Sequence, residues 1–462
     1  MSSDGALRVA VVGSGPAGFY AAGALLASED PSVEVDLIER LPTPWGLVRL
    51  GVAPDHPNIK AVSRAFERIA KQPGFRFVGN VEVGRHIAHD ELLELYDAVV
   101  YAFGAQTDRR LGIPGEDLRG SWAATEFVAW YNGHPDFQEL VFDLSAERAV
   151  VVGNGNVALD VARMLALSRE ELAPTDATDE SIDAILGSGI REILVLGRRG
   201  PVQAAWTPVE LQEMGELATA DILVDPADLE LDPVSRAELE AAPQTVKRNM
   251  AILQEFAERR PEGKPRAVRL RFRVSPVAIL GEGRVEGVEL ARNELVPDGK
   301  GSVRAAATEE RELVECGLVF RSVGYRGIPL PGIPFDEETG TMPNEGGRVL
   351  DEGGEPVRGL YCAGWIKRGP TGVIGTNKKD ATETVELLLE DARAGRLARK
   401  ARGPEAALDL LADRGAEVVL YAGWEAIDAD ERARGEPHGR PRLKLCSWEE
   451  LLAAARAASR AA

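Results

Sequence analysis

The residues best able to do chemistry in this sequence are glycines. Gly13, Gly15 and Gly18 follow an apolar run, Leu7 to Val12, and open a second apolar stretch that reaches Leu26. In this G-x-G-x-x-G spacing the first glycine permits a tight turn. The second lets a diphosphate approach the backbone, and the third lets a helix lie close on its strand. The amides at the helix start then face the diphosphate, where the helix dipole favours negative charge. A further apolar run, VEVDLIER, carries Glu39 near its end. An acid at that point accepts hydrogen bonds from ribose hydroxyls, so the expected ligand is FAD or NAD rather than NADP.

A second turn of the same kind, in RAVVVGNGNVALDVARMLAL, has Gly153 and Gly155, with Ala158 in the third slot. The strand expected next, REILVLG, is followed by Arg198 and Arg199 where the first motif had an acid. A 2′-phosphate suits guanidinium forks, whose paired donors match its oxygens, and a carboxylate would repel it. The second unit is therefore read as NADP-specific. Two dinucleotide units of opposite charge logic imply two bound nucleotides, and one chain holding FAD and NADP is most simply a hydride-transfer flavoprotein.

These turns need strands and helices to position them. The pattern predicts an α/β protein with two Rossmann-like dinucleotide-binding domains, the NADP domain inserted into a split FAD domain. The expected boundaries are 1–106 for the first part of the FAD domain, 107–328 for the NADP domain, and 329–462 for the remainder with a C-terminal helical segment. DAVVYAFGAQ reads as the last strand before the insertion, and GLYCAGW as the strand that resumes the first domain. Gly372 to Thr376 then opens a long helix, whose N-terminus would stabilise the negative charge of a reduced flavin. In the tail, EVVLYAGW is expected to form a short strand among helices, with Ser447 capping a terminal amphipathic helix.

Composition narrows the classes. The chain has 462 residues, 44% of them hydrophobic, and a formal net charge of −20. That length suggests about two or three domains. The charge opposes nonspecific binding to DNA or anionic membrane. No apolar run reaches the ~18 residues that a membrane span needs. The N-terminus lacks the layout of a signal or transit peptide, which predicts a cytoplasmic enzyme with nothing to be cleaved. Only Cys316, Cys362 and Cys446 are present, with no C-x-x-C. A disulfide scaffold, a zinc or iron–sulfur ligand set, and electron transfer to a redox disulfide are all disfavoured.

Taken together the motifs resemble the ferredoxin–NADP reductases of the adrenodoxin-reductase type, over roughly residues 6–445. The most specific segment is PTPWGLVRLGVAPDHPNIKAV, with GNGNVALD, LGRRGP and WIKRGPTGVIGTNKKDA close behind. The resemblance implies FAD contacts at Ala17, Glu39, Leu47, Val83, Trp365, Gly372, Val373 and Ile374. It implies NADP contacts at Asn154, Gly155, Asn156, Val157, Arg198 and Arg199, with Glu210 near the nicotinamide and Gly372 touching both ligands. His56 would lie near the flavin with a carboxylate partner, for which Asp160 and Glu213 are the candidates. Hydride transfer itself needs no general acid, so His56 either tunes the flavin or relays its proton, or only holds the loop before Pro57. Catalysis is expected to rest mainly on geometry, with the nicotinamide carbon ~3–3.5 Å from the flavin's central-ring nitrogen.

By the same resemblance the acceptor is a small, acidic iron–sulfur ferredoxin taking one electron at a time. An acidic partner needs a docking face of positive potential. Lys247, Arg248, Arg259, Arg260, Lys264, Arg266, Arg269, Arg271 and Arg273 offer one, and Lys247 and Arg248 fall nearest the family's docking region. The plain alternative is a solvated helix and an edge strand protected by charge. Two other functions compete: an NADPH-fed flavin subunit with a different acceptor, like that of glutamate synthase, and a flavin- and NADP-binding redox sensor with slow turnover.

Overall fold

The computed structural model of this protein describes residues 5–299, 302–400, 403 and 405–461. The chain divides into two compact units. The first comprises Met1–Val52, His56–Thr107 and Tyr325–Ala462; the second comprises Ala53–Asp55 and Asp108–Gly324.

The first unit is built on a seven-stranded sheet. Leu7–Val12 lies inside it, parallel to Val33–Ile38 on one side and to Ala98–Tyr101 on the other. Phe75–Val78 extends the sheet beyond Val33–Ile38, and Pro356–Cys362 pairs in parallel with Ala98–Tyr101. Continuous burial of Leu7–Val12 and Ala98–Tyr101, rather than alternation, reflects cover on both faces. Val9 and Val11 point to a core shared with the helices Pro16–Leu26 and Ile374–Arg393, while Ala10 and Val12 point to a second core on the opposite face.

The second unit has a six-stranded sheet in the order Ser121–Ala123, Leu318–Arg321, Arg148–Val152, Glu192–Gly197, Arg266–Phe272, Ala220–Val224, parallel throughout. Ala149, Val151, Ile193 and Val195 face the helical core. Val150, Val152, Leu194 and Leu196 face a three-stranded antiparallel sheet of Val274–Leu280, Gly287–Pro297 and Val303–Glu315. The fold class expected from the sequence is observed: two Rossmann-like α/β units.

Two local expectations are corrected. Arg266–Phe272 is not an edge strand, since it lies between Glu192–Gly197 and Ala220–Val224. EVVLYAGW forms no strand. Val419 makes one bridge with Gly79, and Tyr421 begins the helix Tyr421–Gly435. That helix buries Trp424 edge-on against Trp45, 4.8 Å between ring centroids, so packing outweighs the strand propensity of the run. The terminal helix does form, and Ser447 Oγ accepts the Glu450 N–H at 3.2 Å.

Candidate functional site

In the first unit the glycine turn is crowded on every side but one. Gly13 has φ +105, and a Cβ there would lie 2.7 Å from the backbone of Ala102 and Phe103. A Cβ on Gly18 would stand 1.9 Å from the Gly13 carbonyl oxygen, so only glycine allows the helix this close to the turn. Gly15 differs, because a Cβ there meets nothing within 4 Å. Its open face is the approach a diphosphate requires.

Other segments close around this turn. The Trp45 N–H donates to the Ser14 carbonyl at 3.0 Å, and a Cβ on Gly46 would lie 2.9 Å from Gly15 Cα. Trp45 reaches this geometry at φ +84, a region L-residues rarely adopt. A Cβ on Gly364 would lie 2.6 Å from Ala17 Cβ, which brings the segment before Trp365 against the start of the first helix. Arg49, from the same PWGLVR segment, is buried and forks onto Glu431, with its NH1 to Oε2 contact at 2.8 Å.

Glu39 stands at the end of its strand beside the turn. Its Oε2 accepts from Ser14 N–H at 3.0 Å and Ser14 Oγ at 2.7 Å, and Oε1 accepts from Leu41 N–H at 3.0 Å. The carboxylate is thereby fixed in orientation. Leu47 and Val373 are large apolar side chains left 41% and 54% exposed. Val83 is buried in the core with Ile38 and Ile366, so only its backbone is available to a ligand. Ile374 likewise packs its side chain into the core. Gly372, at φ +80, precedes the helix Ile374–Arg393, and Thr376 Oγ1 accepts the Val373 N–H at 3.2 Å. Near this loop the indole N–H of Trp365 and the Nε and NH1 groups of Arg368 are buried with no hydrogen-bond partner among the described residues. Buried donors of this kind call for an acceptor. With the open glycine turn and the fixed carboxylate, they fit FAD.

His56 is buried in this unit and heads the short helix Pro57–Lys60, its carbonyl accepting from Ile59 and Lys60 N–H.

In the second unit Gly153 has φ +135, and a Cβ there would stand 2.1 Å from the Ser322 carbonyl oxygen. A Cβ on Gly155 meets nothing within 4 Å, as at Gly15. Gly155 heads the helix Asn156–Met164. Asn154 accepts the Ala205 N–H on its carbonyl at 2.9 Å, and Asn156 Oδ1 accepts the Thr207 N–H at 2.8 Å. These two bonds tie the WTPVEL segment to the turn. Val157 packs partly into the core. Arg198 is exposed directly after the strand Glu192–Gly197, and Arg199 is half-buried beside it. Neither guanidinium has a carboxylate partner among the described residues. An open turn with two unneutralised guanidinium groups fits NADP.

Asp160, Glu210 and Glu213 come together around a residue the sequence reading missed. Arg163, its side chain 3% exposed, donates to Asp160 Oδ1 at 2.8 Å and to Glu210 Oε2 at 3.3 Å, with Glu213 Oε2 at 3.7 Å. It also forks onto Asp55, at 2.7 and 3.2 Å. Burial alone would lower the Arg163 pKa; the carboxylates of Asp160, Asp55 and Glu210 outweigh that and raise it. The cation is permanent, and it fixes the acids. The available signal was an arginine one turn beyond Asp160 on an otherwise apolar helix.

The broad cationic stretch does not form one surface. Arg266 is buried, donating to the Leu165 carbonyl at 2.7 Å. Arg269 pairs with Glu192, Arg271 forks onto Glu312, and Arg273 donates to the Ala227 carbonyl. Lys247 and Arg248, on the helix Gln244–Glu258, reach the Glu240 carbonyl and the Gln212 amide, and among the described residues no carboxylate neutralises them. Among the described residues no helix is long and apolar enough to cross a membrane.

Two glycine turns on the parallel strands of two sheets, one beside a fixed carboxylate and one beside arginines that no carboxylate among the described residues neutralises, define a two-nucleotide oxidoreductase. Residues 7–194 match the pyridine nucleotide-disulphide oxidoreductase family. The chain is 52% identical to the NADPH-ferredoxin reductase FprA of Mycobacterium tuberculosis over 453 residues, covering 96% of this chain and 98% of that protein. It is 42% identical to the mitochondrial NADPH:adrenodoxin oxidoreductase of Arabidopsis thaliana, covering 98% and 96%. The solved structure of M. tuberculosis FprA in complex with NADPH superposes with a TM-score of 0.92 at 50% identity, covering 98% of this chain and all of that one. The chain belongs to the ferredoxin–NADP reductases of the adrenodoxin-reductase type, a family of FAD- and NADP-binding flavoproteins.

Proposed function

We infer that this protein is a ferredoxin–NADP(+) reductase, which oxidises NADPH through bound FAD and delivers single electrons to a ferredoxin-type iron–sulfur protein. The observation that carries the reading is the opposite charge at the two equivalent strand ends: a fixed carboxylate at Glu39, and guanidinium groups at Arg198 and Arg199 that no carboxylate among the described residues neutralises. Bound FAD would supply the conversion of a two-electron donor into one-electron transfers.

The residues divide the remaining work. Gly13, Gly15, Ala17 and Gly18 admit the FAD diphosphate, and Glu39 accepts from its ribose hydroxyls. Leu47, the Val83 backbone and Trp365 border the ring system. The amides of Gly372, Val373 and Ile374 stabilise negative charge at the flavin's pyrimidine end. Asn154, Gly155, Asn156 and Val157 bind the NADP diphosphate, and Arg198 and Arg199 bind its 2′-phosphate. Glu210, held by Arg163, faces the nicotinamide end; Asp160 and Glu213 share that anchor. His56 handles the proton that accompanies flavin reduction, with Asp160 or Glu213 as its acid partner. The unneutralised charges of Lys247 and Arg248 support a docking site there for an acidic ferredoxin. A cytoplasmic setting belongs to the same reading, supported by three free cysteines.

The test is anaerobic. One equivalent of NADPH is mixed with the purified flavoprotein, bleaching is followed, and a ferredoxin from the same organism is added. Prompt bleaching followed by ferredoxin reduction is the expected result. Bleaching without transfer to any native ferredoxin would discard the named acceptor, and no bleaching within minutes would discard the enzyme reading in favour of a sensor.

A further inference from the structure

The turn that carries Arg198 and Arg199 is held at three consecutive residues, the first two by groups far away in sequence and the third by a neighbour. The Arg198 carbonyl accepts from Asn293 Nδ2 at 2.8 Å. The Arg199 carbonyl accepts from the Arg273 N–H at 3.0 Å. The Gly200 N–H donates to Gln203 Oε1 at 3.1 Å.

Asn293 is the hub of this arrangement. It is 4% exposed and sits at the register shift between Gly287–Pro297 and Val303–Glu315. Its Nδ2 also donates to Ser275 Oγ at 2.7 Å, and its N–H donates to the Arg273 carbonyl at 2.7 Å. Both amide hydrogens are thus in use, one on the arginine turn and one on the strand that begins after Arg273. Arg273 itself has φ +57, a conformation an L-residue keeps only where its surroundings demand it. The bonds at its N–H and carbonyl are what hold it there. The Asn293 side chain therefore fixes the Arg198 carbonyl, while its backbone N–H, which any residue would supply, holds Arg273 and through it the Arg199 carbonyl.

We propose that Asn293 is a positioning residue for the arginine pair and so a determinant of the preference for the 2′-phosphorylated nicotinamide nucleotide. The inference rests on the assignment of Arg198 and Arg199 to the 2′-phosphate. An exposed guanidinium gains most from a phosphate when its backbone is already in place, because the ordering cost is not charged against binding. Loss of the Asn293 amide frees the Arg198 carbonyl, with the holds on Arg199 and Gly200 kept, and reduces that gain. It leaves the diphosphate turn at Asn154 to Val157 alone, so a nucleotide lacking the 2′-phosphate is bound as before. The discrimination, rather than the affinity for nucleotides in general, is what Asn293 sets.

The experiment uses the FAD-loaded enzyme and reads ligand binding by calorimetry, with 2′,5′-ADP and 5′-AMP as probes that differ only in the 2′-phosphate. Asn293→Ala is expected to weaken 2′,5′-ADP about tenfold, the worth of one hydrogen bond, and to leave 5′-AMP unchanged. Ser275→Ala, which removes the partner that orients the Asn293 amide, is expected to shift the same ratio by a smaller factor, and it keeps the test open if Asn293→Ala fails to fold. Equal weakening of both probes would overturn the proposal, since Asn293 would then support the unit as a whole. No change in either variant, with Arg198→Ala still weakening 2′,5′-ADP, would overturn it while leaving the arginine assignment intact. If Arg198→Ala itself spares 2′,5′-ADP, the underlying assignment falls and this inference with it.

Discussion

Arg198 and Arg199 carry two fixed positive charges that no carboxylate among the described residues neutralises. Replacing both with alanine is expected to raise the KM for NADPH about 10- to 100-fold, the worth of charge-assisted hydrogen bonds, and to move that for NADH by less than about twofold. Steady-state kinetics with both nucleotides and an artificial acceptor measures this; equal effects would remove the 2′-phosphate assignment. Arg163 predicts the opposite kind of result. Its loss leaves Asp55, Asp160 and Glu210 close together without their cation, so Arg163→Leu should destabilise the protein by about 3–5 kcal/mol in urea unfolding. The glycine turns were legible in the sequence because steric demand at fixed spacing is local. Arg163 was legible only in part, through Asp160 one turn before it, since Asp55 and Glu210 lie far off in sequence; Asn293 was not, because its partners lie on other strands and turns and nothing in its residue type signals them.

Among the elements, the strand Pro356–Cys362 and the helix Ile374–Arg393 are joined by buried charge. Burial alone would push the Asp391 carboxyl up, but hydrogen bonds from Arg348, Tyr361 and Arg396 outweigh it and pull the value down to about 2. A folded-state value below the unfolded ~3.9 means that Asp391 stabilises the fold above about pH 4. That contribution is lost as the pH falls toward 2. Asp391→Asn should flatten this part of the stability profile, read as the urea midpoint against pH; an unchanged acid slope would remove the assignment. At this scale the sequence reading was accurate for strands whose apolar runs meet glycine turns. It failed where packing decides: EVVLYAGW carries strand formers but gives its tryptophan to a helix. The cationic stretch also misled, because sequence shows charge but not which carboxylate stands opposite.

At the scale of the whole molecule, a net charge of −20 must be reconciled with the acidic partner proposed above. Lys247→Glu with Arg248→Glu is expected to raise the KM for ferredoxin about fivefold or more while sparing NADPH-dependent reduction of ferricyanide. An unchanged ferredoxin KM would move the docking site elsewhere. The cysteines make a separate prediction. Burial pushes the Cys316 thiol up to about 12 and the Cys446 thiol up to about 11, and it raises Cys362 further. None is a thiolate near neutrality. A variant lacking all three should keep NADPH-driven acceptor reduction within about twofold, whereas a large loss would point to a thiol route for the electrons.

The parallel pairing of Pro356–Cys362 with Ala98–Tyr101 has a consequence for synthesis. Ala98–Tyr101 leaves the ribosome early, yet the strand that covers its free side is still untranslated while the whole second unit is made. At ~5–20 residues per second that interval is on the order of ten seconds or more. The second unit, nearly continuous in sequence, can fold during that wait; the first unit cannot, and it carries an open apolar strand edge throughout. Nascent chains stalled before residue 356 should therefore be the ones that aggregate or recruit chaperones, and chains released at full length should not.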